Sequence, residues 1–252
     1  MSGSFTRMNF EWLQADWPAP ANVRTASTLR IGGVSQPPFD TLNLGSHVGD
    51  SAEAVLTNRA RLADALRLPG EPCWLNQVHG TAVVEAAVRS TPATADACVT
   101  RSPGKVCAIM TADCLPVLFC SRDGDRVAAA HAGWRGLAGG VLESTVSALN
   151  LPGSQLLAWL GPAIGPQAFE VGDEVRIAFT SQDVAAAQAF QPSHRPGHWL
   201  ADLYLLARQH LARLGVTAVY GGGFCTYTDE ARFFSYRRDG RTGRMASLIW
   251  MS

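Results

Sequence analysis

The sequence predicts a single domain built on a mixed sheet, of the α/β or α+β class. Pro and Gly are spread evenly through the 252 residues, so no stretch resembles a linker between two separately folding halves. Three segments have the apolar spacing of amphipathic helices, and short β-rich runs lie between them. Because these strands and helices do not alternate strictly, a mixed sheet is favoured over a doubly wound parallel one. The predicted domain spans residues 1–252.

Each of the three predicted helices has an apolar stripe. The first spans Asp50–Leu68 and begins with Asp-x-x-Glu, the spacing of a capping box. The second spans Leu137–Leu149, with its apolar residues on one side. The third spans Trp199–Leu214 and precedes Gly215, a residue type that often ends helices.

Eight short runs predict strands, because they are rich in apolar and β-branched residues and are bounded by turn residues. They are Cys73–Val78, Thr81–Val88, Val106–Thr111, Leu115–Cys120, Val127–Ala130, Leu156–Leu160, Val216–Tyr220 and Ser247–Trp250.

The charge balance excludes one broad class of partner. The chain has 21 Lys+Arg and 21 Asp+Glu, so its formal net charge is +0. Nucleic acids and anionic membranes attract proteins through positive charge, and we therefore expect neither as a partner. Lys105 is the only lysine, so we expect arginine to bind any anion that a side chain holds. The oligomeric state is left open.

The six cysteines form no C-x-x-C pair, which argues against a disulfide framework and a closed structural zinc site. Most of them, including Cys225, are expected to be small buried residues. The start of the chain has no apolar run after a basic segment, so we expect no signal peptide or transmembrane span. A cytoplasmic location, in which thiols stay reduced, follows as an expectation.

The strongest local signal is a hairpin turn at Asp123-Gly124, where both central positions of a two-residue loop favour positive φ. With that turn, His131 lies opposite Pro116. Cys114 is two residues before Pro116 on the same face, so Cys114 and His131 are expected to be diagonal neighbours, with Cβ atoms about 5–8 Å apart. This distance suits two ligands of one metal, or a thiol and its base.

His79 ends an apolar run and is followed by glycine, which makes it a third candidate ligand. Two histidines and one thiolate leave a fourth tetrahedral position open, the pattern of a catalytic zinc site. Zinc lowers the pKa of a bound water to about 7. After the hairpin, Arg135 and the first amides of the following helix predict an anion pocket.

Ordered motifs extend these signals along nearly the whole chain. They are Arg30-Ile-Gly-Gly-Val-Ser35, Asn76-Gln-Val-His-Gly80, Thr111-Ala-Asp-Cys-Leu-Pro116, His131-Ala-Gly-Trp-Arg-Gly136, Gly161-Pro-Ala-Ile-Gly-Pro166, Cys225-Thr-Tyr227, Phe233-Phe-Ser-Tyr-Arg-Arg238 and Thr242-Gly-Arg-Met-Ala-Ser247. With these motifs the chain resembles the YfiH or laccase-domain family, also described as polyphenol oxidase-like, purine nucleoside phosphorylase-like or peptidoglycan editing factor.

The resemblance implies a layered α/β/β/α sandwich. It implies that His79, Cys114 and His131 are both the catalytic group and the metal ligands, for zinc with copper possible. The implied function is a purine nucleoside enzyme that deaminates adenosine and phosphorolyses adenosine, inosine, guanosine and methylthioadenosine. Its partners would then be small molecules, a purine nucleoside and phosphate.

Substrate contacts and the general acid are less well marked by motif. Four residues are expected to contact phosphate or ribose: Arg30, Asn43, Arg135 and Arg238. The H-x-E and P-C-x-x-C motifs of zinc nucleobase deaminases do not occur. Asp113 is expected to face away from the metal if it lies on an extended strand, which leaves Glu170 and His47 as candidate acids.

Four alternatives remain open at this stage. One is a copper-dependent polyphenol oxidase, for which six histidines in the whole chain are few to build a multicopper centre. Another is an editing factor for peptidoglycan precursors. A third is a metal-free hydrolase with Cys114 as nucleophile and His131 as base. The last is a binding module without enzymatic activity.

Overall fold

The computed structural model describes residues 10–252, which form a single domain of four layers. A helix covers the outer face of a five-stranded sheet, and the inner face of that sheet packs on a six-stranded sheet. Further helices cover the other face of the six-stranded sheet. The predicted mixed-sheet domain is confirmed, and the layers are those of the α/β/β/α sandwich that the resemblance implied.

The strands, in chain order, are β1 (Trp12–Leu13), β2 (Val23–Thr28), β3 (Pro72–Cys73), β4 (Leu75–Asn76), β5 (Val83–Glu85), β6 (Ala93–Thr94), β7 (Ala97–Thr100), β8 (Val106–Thr111), β9 (Leu115–Ser121), β10 (Val127–Ala132), β11 (Leu156–Leu160), β12 (Glu170–Gly172), β13 (Phe190–Pro192), β14 (His198–Ala201), β15 (Ala218–Gly221) and β16 (Met245–Met251). The α-helices are α1 (Ala52–Leu66), α2 (Trp134–Gly139), α3 (Val141–Leu149), α4 (Asp173–Thr180), α5 (Leu203–Arg213) and α6 (Tyr236–Asp239), and short 3-10 helices span Gly153–Gln155 and Val184–Ala189.

Both large sheets are mixed. The five-stranded sheet has the order β1-β2-β16-β8-β3, and only its β3–β8 pair is parallel. The six-stranded sheet has the order β15-β11-β9-β10-β7-β5, with parallel pairs at its two edges. Smaller sheets join β12, β14 and β13, and β4 with β6.

Strand β8 shows how the layers are held together. Successive side chains of a strand point to opposite faces. Cys107 and Ile109 therefore pack between the two sheets, whereas Ala108 and Met110 pack in the outer cluster with Leu62 of α1. All six residues of β8 are buried, so this position in the fold requires an almost wholly apolar strand.

The first helix begins two residues later than predicted and ends two residues earlier. Its N-cap is Ser51, whose hydroxyl accepts a hydrogen bond from the backbone N of Ala54 at 3.4 Å. The Asp50 carboxylate accepts hydrogen bonds from Ser35 Oγ at 2.6 Å and Asn43 Nδ2 at 2.9 Å. The capping-box prediction was therefore wrong about the cap, because Asp50 binds the neighbouring loop instead.

The other two predicted helices also differ from the structure at their starts. The chain forms α2 and α3 separately, because Gly140 between them has φ 98 and cannot continue a right-handed helix. Trp199 lies in β14, and the third helix starts only after its cap Asp202, which accepts from the backbone N of Leu205. Gly215, with φ 75, follows the end of that helix as predicted.

Strand predictions were accurate for the buried apolar runs and poor elsewhere. Val106–Thr111 and Leu156–Leu160 match the structure at both ends. The predicted strand Cys73–Val78 is two short strands, because the chain leaves the five-stranded sheet after Cys73 to pair with β6. The sequence analysis missed seven strands and two helices: β1, β2, β6, β7, β12, β13, β14, α4 and α6. None of the helices in residues 10–252 combines the length and apolar character that a membrane span requires.

Candidate metal centre

The β9–β10 hairpin positions two of the three candidate ligands. Its turn is closed by a hydrogen bond from the backbone N of Gly124 to the carbonyl of Ser121 at 3.1 Å, so Arg122 and Asp123 are its central residues. Only Gly124 has positive φ, at 70, so the predicted two-residue loop was wrong, although the register of the strands is the predicted one. The pairing places His131 opposite Pro116, as the turn predicted. His131 is buried near the end of β10, and Cys114 lies just before β9.

His79, Cys114 and His131 form a compact group. Their ligand atoms all lie within 4.8 Å of one another, and Cys114 Sγ is 3.7 Å from His79 Nε2. The imidazole rings of the two histidines have centroids 4.8 Å apart and are inclined at 70°. Within residues 10–252, no other set of three or more His, Cys, Asp or Glu side chains has the spacing of a metal site.

Asp96 is the buried carboxylate behind this group. Its Oδ1 accepts hydrogen bonds from Nδ1 of His131 at 2.8 Å and from the backbone N of His79 at 2.9 Å. Its Oδ2 accepts from the backbone N of Gly80 at 2.7 Å and of Val78 at 3.2 Å. The bond at Nδ1 leaves Nε2 of His131 for a metal, and a carboxylate partner of this kind fixes the ring and raises its basicity as a ligand.

The site needs glycine where the chain passes close to the ligands. A Cβ on Gly133 would lie 2.9 Å from Cδ2 of His79 and 3.0 Å from Sγ of Cys114. A Cβ on Gly136 would lie 2.9 Å from the carbonyl oxygen of Gly80. His79 itself has φ 60, a conformation that costs a non-glycine residue energy, and its hydrogen bond to Asp96 helps to hold it there.

Charges in the site favour a thiolate. Burial would raise the pKa of the Cys114 thiol, but the positive charge of His131 and hydrogen bonds with both histidines outweigh burial and lower it to about 6. Burial would lower the pKa of His131, but the Cys114 thiolate and the Asp96 carboxylate outweigh burial and raise it. Two imidazoles and a thiolate are a donor set that fits zinc, with one tetrahedral position left open.

The opposite wall of the site is cationic and aromatic. The group opens into a pocket of about 340 Å³ whose other wall includes His47, Tyr236 and Arg244. Burial, followed by the charges of Arg244 and Arg59, lowers the pKa of His47. His47 therefore faces the pocket as a neutral imidazole at pH 7, able to accept a proton.

The four residues predicted to contact substrate lie outside the set that lines this pocket. The Arg30 guanidinium pairs with Asp40 and packs over Phe234. Arg238 donates to the carbonyls of Thr226, Tyr227 and Phe233. Arg135 is exposed and lies over the Trp134 ring.

Asn43 is fully buried, and its Oδ1 accepts from the backbone N of Arg244 at 2.9 Å. Asn43 thus supports the arginine that does line the pocket, which the sequence analysis did not select.

The acidic candidates have other partners. The Asp113 carboxylate accepts from Thr226 Oγ1 at 2.6 Å and from the backbone N of Arg237 at 2.7 Å. The assumption that Asp113 lies on an extended strand was wrong, because Asp113 precedes β9 and has φ 90. Glu170 accepts from Ser193 Oγ at 2.7 Å and does not line the pocket. Of the two acid candidates, His47 is the one that faces the site.

Cys225 was expected to be buried, and this expectation was wrong. The residue is half-buried and lines a separate pocket of about 520 Å³. Burial would raise the pKa of its thiol, but hydrogen bonds from Thr228 and backbone N–H groups lower it. The other four predicted core cysteines, Cys73, Cys98, Cys107 and Cys120, are buried.

A sequence model described as "Multi-copper polyphenol oxidoreductase laccase" matches residues 24–252. The chain belongs to this laccase family. Curated relatives span nearly the same length. A purine nucleoside phosphorylase of Pseudomonas aeruginosa is 62% identical over 95% of this chain and 98% of the relative. The Escherichia coli relative named purine nucleoside phosphorylase YfiH is 56% identical over 93% of this chain and 96% of its own.

Solved structures share the same fold. A Neisseria meningitidis protein has a TM-score of 0.92 at 55% identity, covering 96% of this chain and 99% of that one. YlmD from Geobacillus stearothermophilus has a TM-score of 0.89 at 33% identity, covering 96% and 98%. The family's description names several coppers, whereas residues 10–252 provide one three-ligand group, and residues 1–9 contain neither His nor Cys.

Proposed function

We propose that this member of the laccase family is a zinc-dependent purine nucleoside phosphorylase that also deaminates adenosine. The observation that carries the proposal is the group of His79, Cys114 and His131, whose ligand atoms lie within 4.8 Å in an open pocket. The names of its relatives support phosphorolysis. A pocket of about 340 Å³ lies within the size range of small-molecule sites.

The proposed substrates are adenosine, inosine, guanosine and methylthioadenosine, with phosphate. His79, Cys114 and His131 would hold the zinc ion, which when bound supplies a water that is nucleophilic at neutral pH. The same donor set accepts copper, and zinc is the ion we propose. Because the site depends on a reduced Cys114, a cytoplasmic location is part of the proposal.

The chain's own residues have separate tasks in this proposal. Asp96 orients His131 and holds the backbone at His79. Neutral His47 is placed to accept a proton, as a general base during deamination. Arg135, which is exposed and does not line the pocket, is retained in the proposal as a phosphate or ribose contact. Asn43 would act through Arg244, and Arg30 and Arg238 through the loops that they hold.

Product analysis tests the proposal directly. Purified protein is incubated with inosine and phosphate, and separately with adenosine, and the products are separated by chromatography. We expect hypoxanthine and ribose 1-phosphate from the first reaction and inosine from the second. Cys114→Ala and His131→Ala should abolish both. The absence of turnover above the Cys114→Ala background would refute the proposal.

A second candidate function rests on the same residues. Cys114, His131 and Asp96 have the order of a thiol, its base and the carboxylate that orients the base, as in metal-free cysteine hydrolases. His79→Ala separates the two functions. It removes a ligand from the zinc enzyme but leaves the thiol, base and carboxylate intact. Full activity of His79→Ala without metal would favour the hydrolase, and loss of both zinc and activity would exclude it.

A further inference from the structure

Arg244 is a fixed guanidinium on the wall of the pocket that contains the Cys114 thiol. One terminal nitrogen donates to the carbonyls of Thr242 and Gly243, each at 3.0 Å. The backbone N of the same residue is bound by the buried Asn43 amide at 2.9 Å. Three contacts therefore set both the position and the direction of this side chain.

Among residues 10–252, Nε and the second terminal nitrogen of Arg244 have no hydrogen-bond partner, and no carboxylate forms a salt bridge with Arg244. By contrast, Arg30 and Arg238, which also lie partly buried, are each paired with an aspartate. A guanidinium offers its remaining donors as a fork that matches two oxygens of a phosphate.

Among residues 10–252, no carboxylate lines the pocket beside the half-buried Arg244 guanidinium. Neutral His47 and the Tyr236 ring, whose centroid is 5.9 Å from the guanidinium carbon, are its neighbours on the wall. Burial lowers the pKa of Arg244, and the charges of Cys114, Asp113 and Tyr236 oppose burial only in part. Cys114 would be neutralised as a metal ligand, and Asp113 is bonded to Thr226 and Arg237.

We propose that Arg244 binds the phosphate that attacks the nucleoside. This inference rests on the proposed phosphorolysis and names the residue that the reaction requires for its anionic substrate. A phosphate oxygen forms the new bond to C1′ of the ribose, and the bond from C1′ to N9 breaks. Its electron pair goes to the purine, which takes up one proton, so the products are ribose 1-phosphate and the free base.

Kinetics of Arg244→Gln and Arg244→Lys with inosine test the assignment. We expect Arg244→Gln to raise the KM for phosphate at least tenfold while the KM for inosine changes less than about threefold, since truncating a charged hydrogen bond costs more than RT ln 10. Arg244→Lys keeps the charge but loses the fork of donors. Its KM for phosphate should therefore lie between those of wild type and Arg244→Gln. Deamination of adenosine, which consumes no phosphate, should lose much less activity than phosphorolysis does, because Arg244 acts on it only through the pKa of His47. Arg195→Gln, an exposed arginine, is the matched control.

Phosphate binding is also measured without turnover, as the rise in melting temperature on adding inorganic phosphate to the zinc-loaded protein. Wild type and Arg195→Gln should show the rise, and Arg244→Gln should lose it. An unchanged KM for phosphate, or an equal loss of phosphorolysis and deamination, would overturn the assignment. If wild type did not phosphorolyse inosine, the proposed function would fail, and the melting experiment would still decide whether Arg244 binds an anion.

Discussion

Asp96 accepts a hydrogen bond from Nδ1 of His131 at 2.8 Å. The same oxygen accepts from the backbone N of His79 at 2.9 Å, and the backbone carbonyl of Asp96 accepts from the N of His131 at 2.7 Å. One fully buried residue thus contacts two of the three candidate ligands, which come from different parts of the chain. The two histidines cannot move independently while these bonds are present.

Asp96→Asn should weaken metal binding more than it weakens the fold. The asparagine amide presents an NH2 group to N–H donors and cannot replace both carboxylate oxygens. Loss of a carboxylate that orients a ligand typically lowers metal affinity about 10–100-fold. We expect a rise of this size in the zinc dissociation constant, measured by competition with a chromophoric chelator at a temperature where the metal-free variant is folded.

Asp123→Asn is the control for this experiment, because Asp123 is exposed in the hairpin turn. It should bind zinc as wild type does. If Asp96→Asn kept wild-type zinc affinity, Asp96 would not organise the centre.

Gly133→Ala should disturb the site by steric contact alone. Gly133 has φ −63 and ψ 156, which alanine adopts without strain, so the backbone does not oppose the change. The new methyl group would lie 2.9 Å from the His79 ring and 3.0 Å from the Cys114 sulfur. We expect zinc affinity to fall at least tenfold and stability to fall by about 1–3 kcal/mol, the usual cost of overpacking.

The matched substitution is Gly139→Ala in the same segment, where the methyl group would meet only Cγ2 of Thr81, at 3.2 Å. Zinc affinity should be unchanged there. Equal effects of the two substitutions would mean that the closeness of Gly133 to the ligands is not what matters.

The group of three ligands could be predicted from the sequence because local signals specify it. The turn residues around Asp123 and Gly124 predicted the correct register of one hairpin, although not the turn type, and the register places Cys114 near His131. Asp96 and Arg244 lacked such a signal. Each reaches the site through the pairing of strands distant in sequence, and neither lies in a spacing that the hairpin determines. Arg244 in particular looked like any other arginine of its loop.

The elements of the fold could likewise be predicted only where a local sequence pattern specifies them. Strands buried on both faces, such as Val106–Thr111, are continuous apolar runs and can be recognised. Strand β2, with the sequence VRTAST, has polar side chains that are buried in this fold, so its pattern predicts no strand. The break at Gly140 depends on a positive φ, which the helical periodicity on either side conceals.

Alkylation should distinguish the cysteines in two steps. At pH 7, iodoacetamide should label Cys225 in both the zinc-loaded and the zinc-free protein, and should label Cys114 only in the zinc-free protein. Both thiols are half-buried and have a lowered pKa, so both can react when no metal covers them. Burial raises the pKa of Cys120 to about 12, so Cys120 should react only on unfolding. Peptide mass spectrometry measures all of these sites. Labelling of Cys114 that does not depend on zinc would contradict its assignment as a ligand.

Glu143 links two helices of the outer layer and should make stability depend on pH. Its Oε1 accepts from Nδ1 of His210 in α5 at 2.7 Å, with Arg213 at 4.0 Å. Burial would raise the pKa of Glu143, but the hydrogen bond to His210 and the charges of His210 and Arg213 outweigh burial and lower it below 4.5. A lowered folded-state pKa contributes stability that is present above 4.5 and is lost as the pH falls through the folded value.

Glu143→Gln keeps an acceptor for His210 but removes the charge. Its free energy of unfolding should therefore be below that of wild type at pH 7, and the difference should shrink as the pH is lowered from about 5 to about 3, where wild type loses the same charge. Urea denaturation at a series of pH values measures the difference. Glu174→Gln, on the exposed face of α4, should show no such trend. A difference that stayed constant over this range would mean that Glu143 acts through packing and not through its charge.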